Sequence, residues 1–103
     1  MSKIGTGTTI YDIILSVDSN NNPVTAATFN IDVFKNGSAE TGVTVNTVLS
    51  DADTGAFTSS WSANTIGDYQ VIYKNNVTNV IFVSDNYNVV SDSDLSTNVY
   101  IGL

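Results

Sequence analysis

The chain has 103 residues and contains no cysteine, no histidine and no arginine. Without cysteine, disulfides and thiolate metal sites are excluded, and the redox compartment leaves no trace in the sequence. Without histidine as well, the commonest general base and the commonest reactive nucleophile are both missing. Charge is scarce: 13% of residues are charged, about half the roughly 25% of an ordinary globular chain. Its sign is one-sided, with ten acids against three lysines (Lys3, Lys35 and Lys74) and a formal charge of −7. A polyanion is repelled by such a surface, which argues against nucleic acid as a partner and against adsorption to anionic lipid. No apolar run approaches the roughly 18 residues of a membrane-crossing helix. Met-Ser-Lys-Ile-Gly-Thr-Gly-Thr-Thr is followed by no apolar stretch of secretory type. With the initial Met, this leads to the expectation of a product made whole in a cytoplasm.

Asn, Thr and Ser take the place of the missing charges. Their short polar side chains compete for backbone hydrogen bonds, which disfavours long helices and favours turns. At this length, with 42% hydrophobic residues, the chain can build one core and one domain. The sequons Asn36-Gly37-Ser38 and Asn76-Val77-Thr78 read as turn chemistry.

The hydrophobic period is close to two nearly throughout, which predicts strands. The first spans Thr9 to Val17, with Tyr11, Ile13, Leu15 and Val17 on one face and Ile10 and Ile14 on the other. Asp18 to Pro23 is a turn. A second strand covers Ala27 to Lys35, and Asn36-Gly37 reverses the chain because both residues tolerate positive φ. The third covers Gly42 to Leu49. After Asp51 to Gly55 the fourth runs from Ala56 to Ser62, pointing Phe57 and Trp61 the same way. The fifth, Asp68 to Lys74, alternates Tyr69, Val71 and Tyr73 against Gln70 and Ile72. Asn75-Asn76 leads into a sixth, Val77 to Val83. Ser84 to Ser96 reads as a polar stretch, and Thr97 to Leu103 as the last strand. Residues 1–8 read as a flexible arm and 9–103 as the folded unit. About seven short antiparallel strands with regular turn signals are the pattern of an immunoglobulin-like β-sandwich, an all-β fold.

One stretch is more specific. Asp53-Thr54-Gly55-Ala56-Phe57, then Trp61, then Gly67-Asp68-Tyr69-Gln70-Val71 resembles the signature of bacterial and phage immunoglobulin-like domains. In these a D-x-x-G turn opens a strand and a G-x-Y-x-V strand returns beside it. The match covers about Asp51 to Val83, and the Cys-Trp-Cys spacing of antibody domains is absent. The chain as a whole resembles the auxiliary capsid (decoration) proteins of tailed phages. That resemblance implies a non-enzymatic virion structural protein, made in the host cytoplasm and present in many copies. Its partner would be the major capsid protein. The alternatives are a carbohydrate-binding or adhesin-type module and a phage tail or baseplate domain.

No catalytic, cofactor-binding or metal-binding residues are assigned. The acids sit mostly in turns, where Asp is favoured for backbone reasons. Asp32, between Ile31 and Val33, reads as an outward-facing strand residue. Asp18-Ser19-Asn20-Asn21-Asn22 opens like a calcium loop, but Pro23 replaces the glycine and Phe29 the bidentate Glu. Asp51, Asp53, Asp92 and Asp94 offer further oxygens if their turns meet. Among Tyr11, Trp61, Tyr69, Tyr73, Tyr87 and Tyr100, a possible sugar platform, Trp61, Tyr69 and Tyr73 read as core and Tyr87 as exposed. Several strands are apolar on both faces, whereas a two-layer sandwich hides only one. The surplus points to a contact patch and to an assembly component.

Overall fold

A computed structural model describes residues 2–91. They form nine strands: β1 (Ser2–Gly5), β2 (Ile10–Leu15), β3 (Phe29–Lys35), β4 (Ser38–Glu40), β5 (Asn46–Asp51), β6 (Ala56–Trp61), β7 (Gly67–Asn75), β8 (Ile81–Val83) and β9 (Tyr87–Val90). One sheet has the order β1-β9-β7-β3-β4, with β8 also paired to β7; the other has the order β2-β6-β5. The two pack as a sandwich of the immunoglobulin-like kind, all-β as the alternation requires.

The core is a row of period-two positions from both sheets. Ile10 and Ile14 of β2, Val33 of β3, Trp61 of β6, Tyr69, Val71 and Tyr73 of β7 and Val89 of β9 are buried together. Trp61 lies edge-on to Tyr87 and tilted to Tyr69, both with ring centroids 5.8 Å away. Phe29 meets Phe57 across the sheets at 5.1 Å. Each large ring removes about 150–250 Å² from water, a gross gain of about 4–6 kcal/mol before side-chain entropy is subtracted.

Local chemistry sets the turns. Asn36 and Gly37 both have positive φ (51° and 82°) between the paired Lys35 and Ser38, the two-residue reversal that their sequence predicts. Gly55 closes the β5–β6 turn: its N–H donates to the Asp51 carbonyl at 2.9 Å and its φ is 76°. At the entry to β7 the Tyr69 hydroxyl donates to the Thr65 carbonyl, a tyrosine corner of the kind found in immunoglobulin-like sandwiches.

Several expectations need correction. The described residues alone form nine strands, where about seven were expected, and these are not all antiparallel, since β1 pairs with β9 in parallel. Ser2–Gly5, read as part of an arm, is that strand. The polar stretch after Ser84 contains β9, whose Val89 is core. The ladder to β7 takes up one extra residue between Val83 and Tyr87. Ser84 fills this bulge: its N–H donates to the Val71 carbonyl and its Oγ accepts from the Val71 N–H, each at 2.8 Å. The third strand of the sequence reading, Gly42 to Leu49, is β5 only from Asn46 on, with Val43 and Val45 half-buried against the core before it; β4 lies ahead of that reading altogether. For β2 the sequence left open which of its two apolar faces is buried. Ile10 and Ile14 point inward, and the more populous apolar row Tyr11, Ile13 and Leu15 points to solvent. Thr97 to Leu103, read as the last strand, lies outside the described residues.

Candidate functional site

The outward face of the β2-β6-β5 sheet follows from strand register. Tyr11, Ile13 and Leu15 of β2 stand opposite Ser60, Thr58 and Ala56 of β6, and Val48 of β5 stands opposite Thr58 from the other side. Ile13, Thr58 and Val48 therefore form one row across all three strands. Tyr11, Ile13, Leu15 and Val48 are 67%, 68%, 58% and 64% exposed. Four large apolar side chains on one small sheet face form a contiguous patch, where scattered single residues would need no explanation. A second apolar area lies at one end of the sandwich, where Val17, Val24, Val77 and Val80 line a shallow cavity of about 440 Å³.

Beneath the first patch, the inward row of β2 carries a carboxylate between its two isoleucines. Asp12 accepts a hydrogen bond from the Tyr87 hydroxyl at 2.8 Å. Next to it the Tyr73 and Ser59 hydroxyls are hydrogen-bonded to each other. Burial pushes the Tyr73 phenol up to about 12, opposed by the Ser59 hydrogen bond and reinforced by the Asp12 charge. The Tyr87 phenol is raised as well, by burial first and then by its bond to Asp12 and that carboxylate's charge. Both phenols are thus held neutral: Tyr87 donates to Asp12 and ties β9 to β2, and the Tyr73–Ser59 pair ties β7 to β6. Asp12 Oδ2 and Trp61 Nε1 are buried with no hydrogen-bond partner among the described residues. Sequence reading missed Asp12, although an acid at the centre of an alternating apolar segment was the available signal. It placed Tyr87 in an exposed loop, whereas its ring packs on Trp61 and its hydroxyl is committed to Asp12.

The remaining candidates separate cleanly. Trp61, Tyr69 and Tyr73 are buried, as expected of core residues, and Tyr11 is exposed. Asp32 is exposed in the middle of β3, paired with Ile72. The Asp18 carboxylate accepts the N–H groups of Asn20 and Asn22, both at 2.9 Å. These two donors hold its pKa below the usual carboxylate range, and they give the side chain a turn-forming task. Asp51 likewise caps its own turn by accepting the Asp53 N–H. Among the described residues no three acids come together as a potential metal cluster. Asp92, Asp94 and Tyr100 lie outside them.

No family model, curated protein or solved structure matches this chain. The site reading therefore stands on its own geometry: a solvent-facing apolar patch on an acidic domain, over the buried Asp12–Tyr87 and Ser59–Tyr73 pairs.

Proposed function

We propose that this chain is a non-enzymatic, protein-binding immunoglobulin-like domain that serves as an auxiliary (decoration) protein on a phage capsid. The observation that carries the reading is the outward row Tyr11, Ile13 and Leu15 with Val48 beside it. An apolar patch of this kind gains from burial against another protein at about 25 cal/mol per Å². The −7 charge discourages phosphate-rich partners and non-specific association. A capsid lattice offers many equivalent copies of one protein face, so modest contacts per subunit suffice. The capsid part of the proposal draws its support from the resemblance described above. The sugar-binding alternative draws less, because Tyr11 is the one exposed ring among the described Tyr and Trp residues.

The test mixes purified protein with capsids that lack it and, separately, with duplex DNA. Saturable binding to capsids and none to DNA is the expected result. Ile13→Lys, which places a charge in the middle of the row, should weaken capsid binding at least tenfold, about 1.4 kcal/mol. Micromolar DNA binding at physiological salt would overturn the proposal, as would wild-type affinity of the lysine variant.

A further inference from the structure

Asparagine is abundant in this chain, at thirteen residues, and the residue after each one decides its chemistry. A backbone nitrogen that attacks the side-chain carbonyl carbon of the asparagine before it closes a five-membered imide ring and expels ammonia. Bulk on the attacking residue hinders the closure, and proline has no N–H to give up. Twelve of the asparagines precede asparagine, proline, threonine, tyrosine, valine or isoleucine. Asn36 alone precedes glycine, whose missing Cβ leaves its nitrogen unhindered and its backbone free to rotate.

The fold presents this dipeptide in a reactive setting. Asn36 and Gly37 are the two exposed residues at the tip of the β3–β4 hairpin, where water and base reach them. Asn36 is also latched to the start of β7. Its N–H donates to the Asp68 carbonyl at 2.7 Å, and its Oδ1 accepts the Asp68 N–H at 2.9 Å. The second bond draws electron density from Cγ. It also places a fixed donor on the oxygen where negative charge develops as the Gly37 nitrogen adds, which is the oxyanion-hole principle.

We propose that Asn36 is a site of spontaneous modification in the folded protein, converted through a cyclic imide to aspartate and isoaspartate. The Gly37 nitrogen gives its proton to base and bonds to Asn36 Cγ. The Cγ–Nδ2 bond breaks, and the nitrogen takes up a proton and leaves as ammonia. Water then opens the ring at either carbonyl. The two products differ in the main chain. Aspartate keeps its length and an oxygen for the Asp68 N–H, whereas isoaspartate routes the chain through the former side chain and adds a methylene. The two-residue reversal fixes a ladder of only three pairs, Val33 with Glu40, Phe34 with Ala39 and Lys35 with Ser38, so isoaspartate uncouples β4 and aspartate does not.

This does not rest on the capsid reading. The test incubates the folded protein at pH 8 and 37 °C and locates the amide-to-acid mass change by fragmentation. Asn36 should convert at least tenfold faster than any other asparagine. In Gly37→Ala, where the new Cβ meets nothing within 4 Å, conversion should be at least tenfold slower. Ion exchange then separates the acidic products. In the isoaspartate form the Ser38 and Glu40 amides should exchange at least tenfold faster than in untreated protein. In Asn36→Asp, which adds the charge without the methylene, they should be unchanged. Asn36 that stays intact in the folded protein while converting in urea would overturn the proposal, as would conversion no faster than at other asparagines. Unchanged exchange at Ser38 and Glu40 in the isoaspartate form would overturn the uncoupling of β4.

Discussion

The hydroxyl of Tyr69 donates to the carbonyl oxygen of Thr65 at 2.9 Å and lies 2.7 Å from the same residue's Oγ1. One side chain thereby holds both the backbone and the side chain of the loop that carries the chain from the smaller sheet into β7. Tyr69→Phe keeps the ring against Trp61 and removes only the oxygen. The expected cost is about 0.5–1.5 kcal/mol, the net worth of a hydrogen bond of this kind. Urea denaturation should show a lowered midpoint with an unchanged slope, since the fold is retained. No change in midpoint would mean that the corner does not contribute to stability.

Trp61 is 3% exposed and touches the rings of Tyr69 and Tyr87. Replacing it with alanine should cost about 3–5 kcal/mol, a large share of the 5–15 kcal/mol that a domain typically has. In the wild type its fluorescence should be blue-shifted and weakly quenched by iodide. Strong quenching in folded protein would contradict the buried position.

At Gly55 both the backbone angle and the available space demand glycine. Its φ of 76° is unfavourable for other L-residues, and a Cβ there would run into the Ser16 carbonyl oxygen and crowd Pro23. The strain alone is on the order of 1–3 kcal/mol, and the clash with backbone atoms adds to it. Gly55→Ala should therefore destabilise far more than Gly37→Ala, whose Cβ would meet nothing within 4 Å. Thermal melts of the two variants side by side make the comparison.

The raised phenols of Tyr73 and Tyr87 predict sensitivity to alkali. In the unfolded chain a tyrosine ionises near pH 10. In the folded state both hold their protons longer, Tyr73 to about 12. The unfolded state therefore loses protons first, and stability falls as pH rises from about 10 through the folded values. Below pH 10 this contribution is fully present. Denaturant midpoints measured from pH 9 to 12 should decline in the wild type and decline less in Tyr73→Phe. Asp12→Asn should bring the Tyr87 titration, followed by its absorbance, back toward the ordinary range.

Strand content and turn positions were legible because period-two alternation and Asn-Gly chemistry act locally. Asn36-Gly37 reverses the chain where the sequence says it should, and Phe57, Trp61, Tyr69, Val71 and Tyr73 all enter the core. The orientation of β2 was not legible. Its two faces are both apolar, and the rule that the richer face goes inside fails when the richer face belongs to a surface. Tyr11, Ile13 and Leu15 outnumber Ile10 and Ile14, yet it is Asp12, bonded to Tyr87 from β9, that identifies the interior row. That bond joins residues 75 positions apart, so no local pattern contains it. β9 was hidden for a similar reason. Its Asn-rich surroundings look like loop, and it is the pairing with β7 on one side and β1 on the other that makes it a strand.

The parallel pairing of β1 with β9 has a mechanical consequence. Ser2 lies beside Tyr87 and Gly5 beside Val90, with both strands running the same way. A force that draws the chain before Ser2 and the chain after Val90 in opposite directions acts along these strands. The interstrand hydrogen bonds are then loaded together in shear, whereas pulling apart a hairpin from its open end breaks them one at a time. The four-residue β1–β9 ladder thus meets tension applied at Ser2 and Val90 in the geometry that shares it among all its hydrogen bonds.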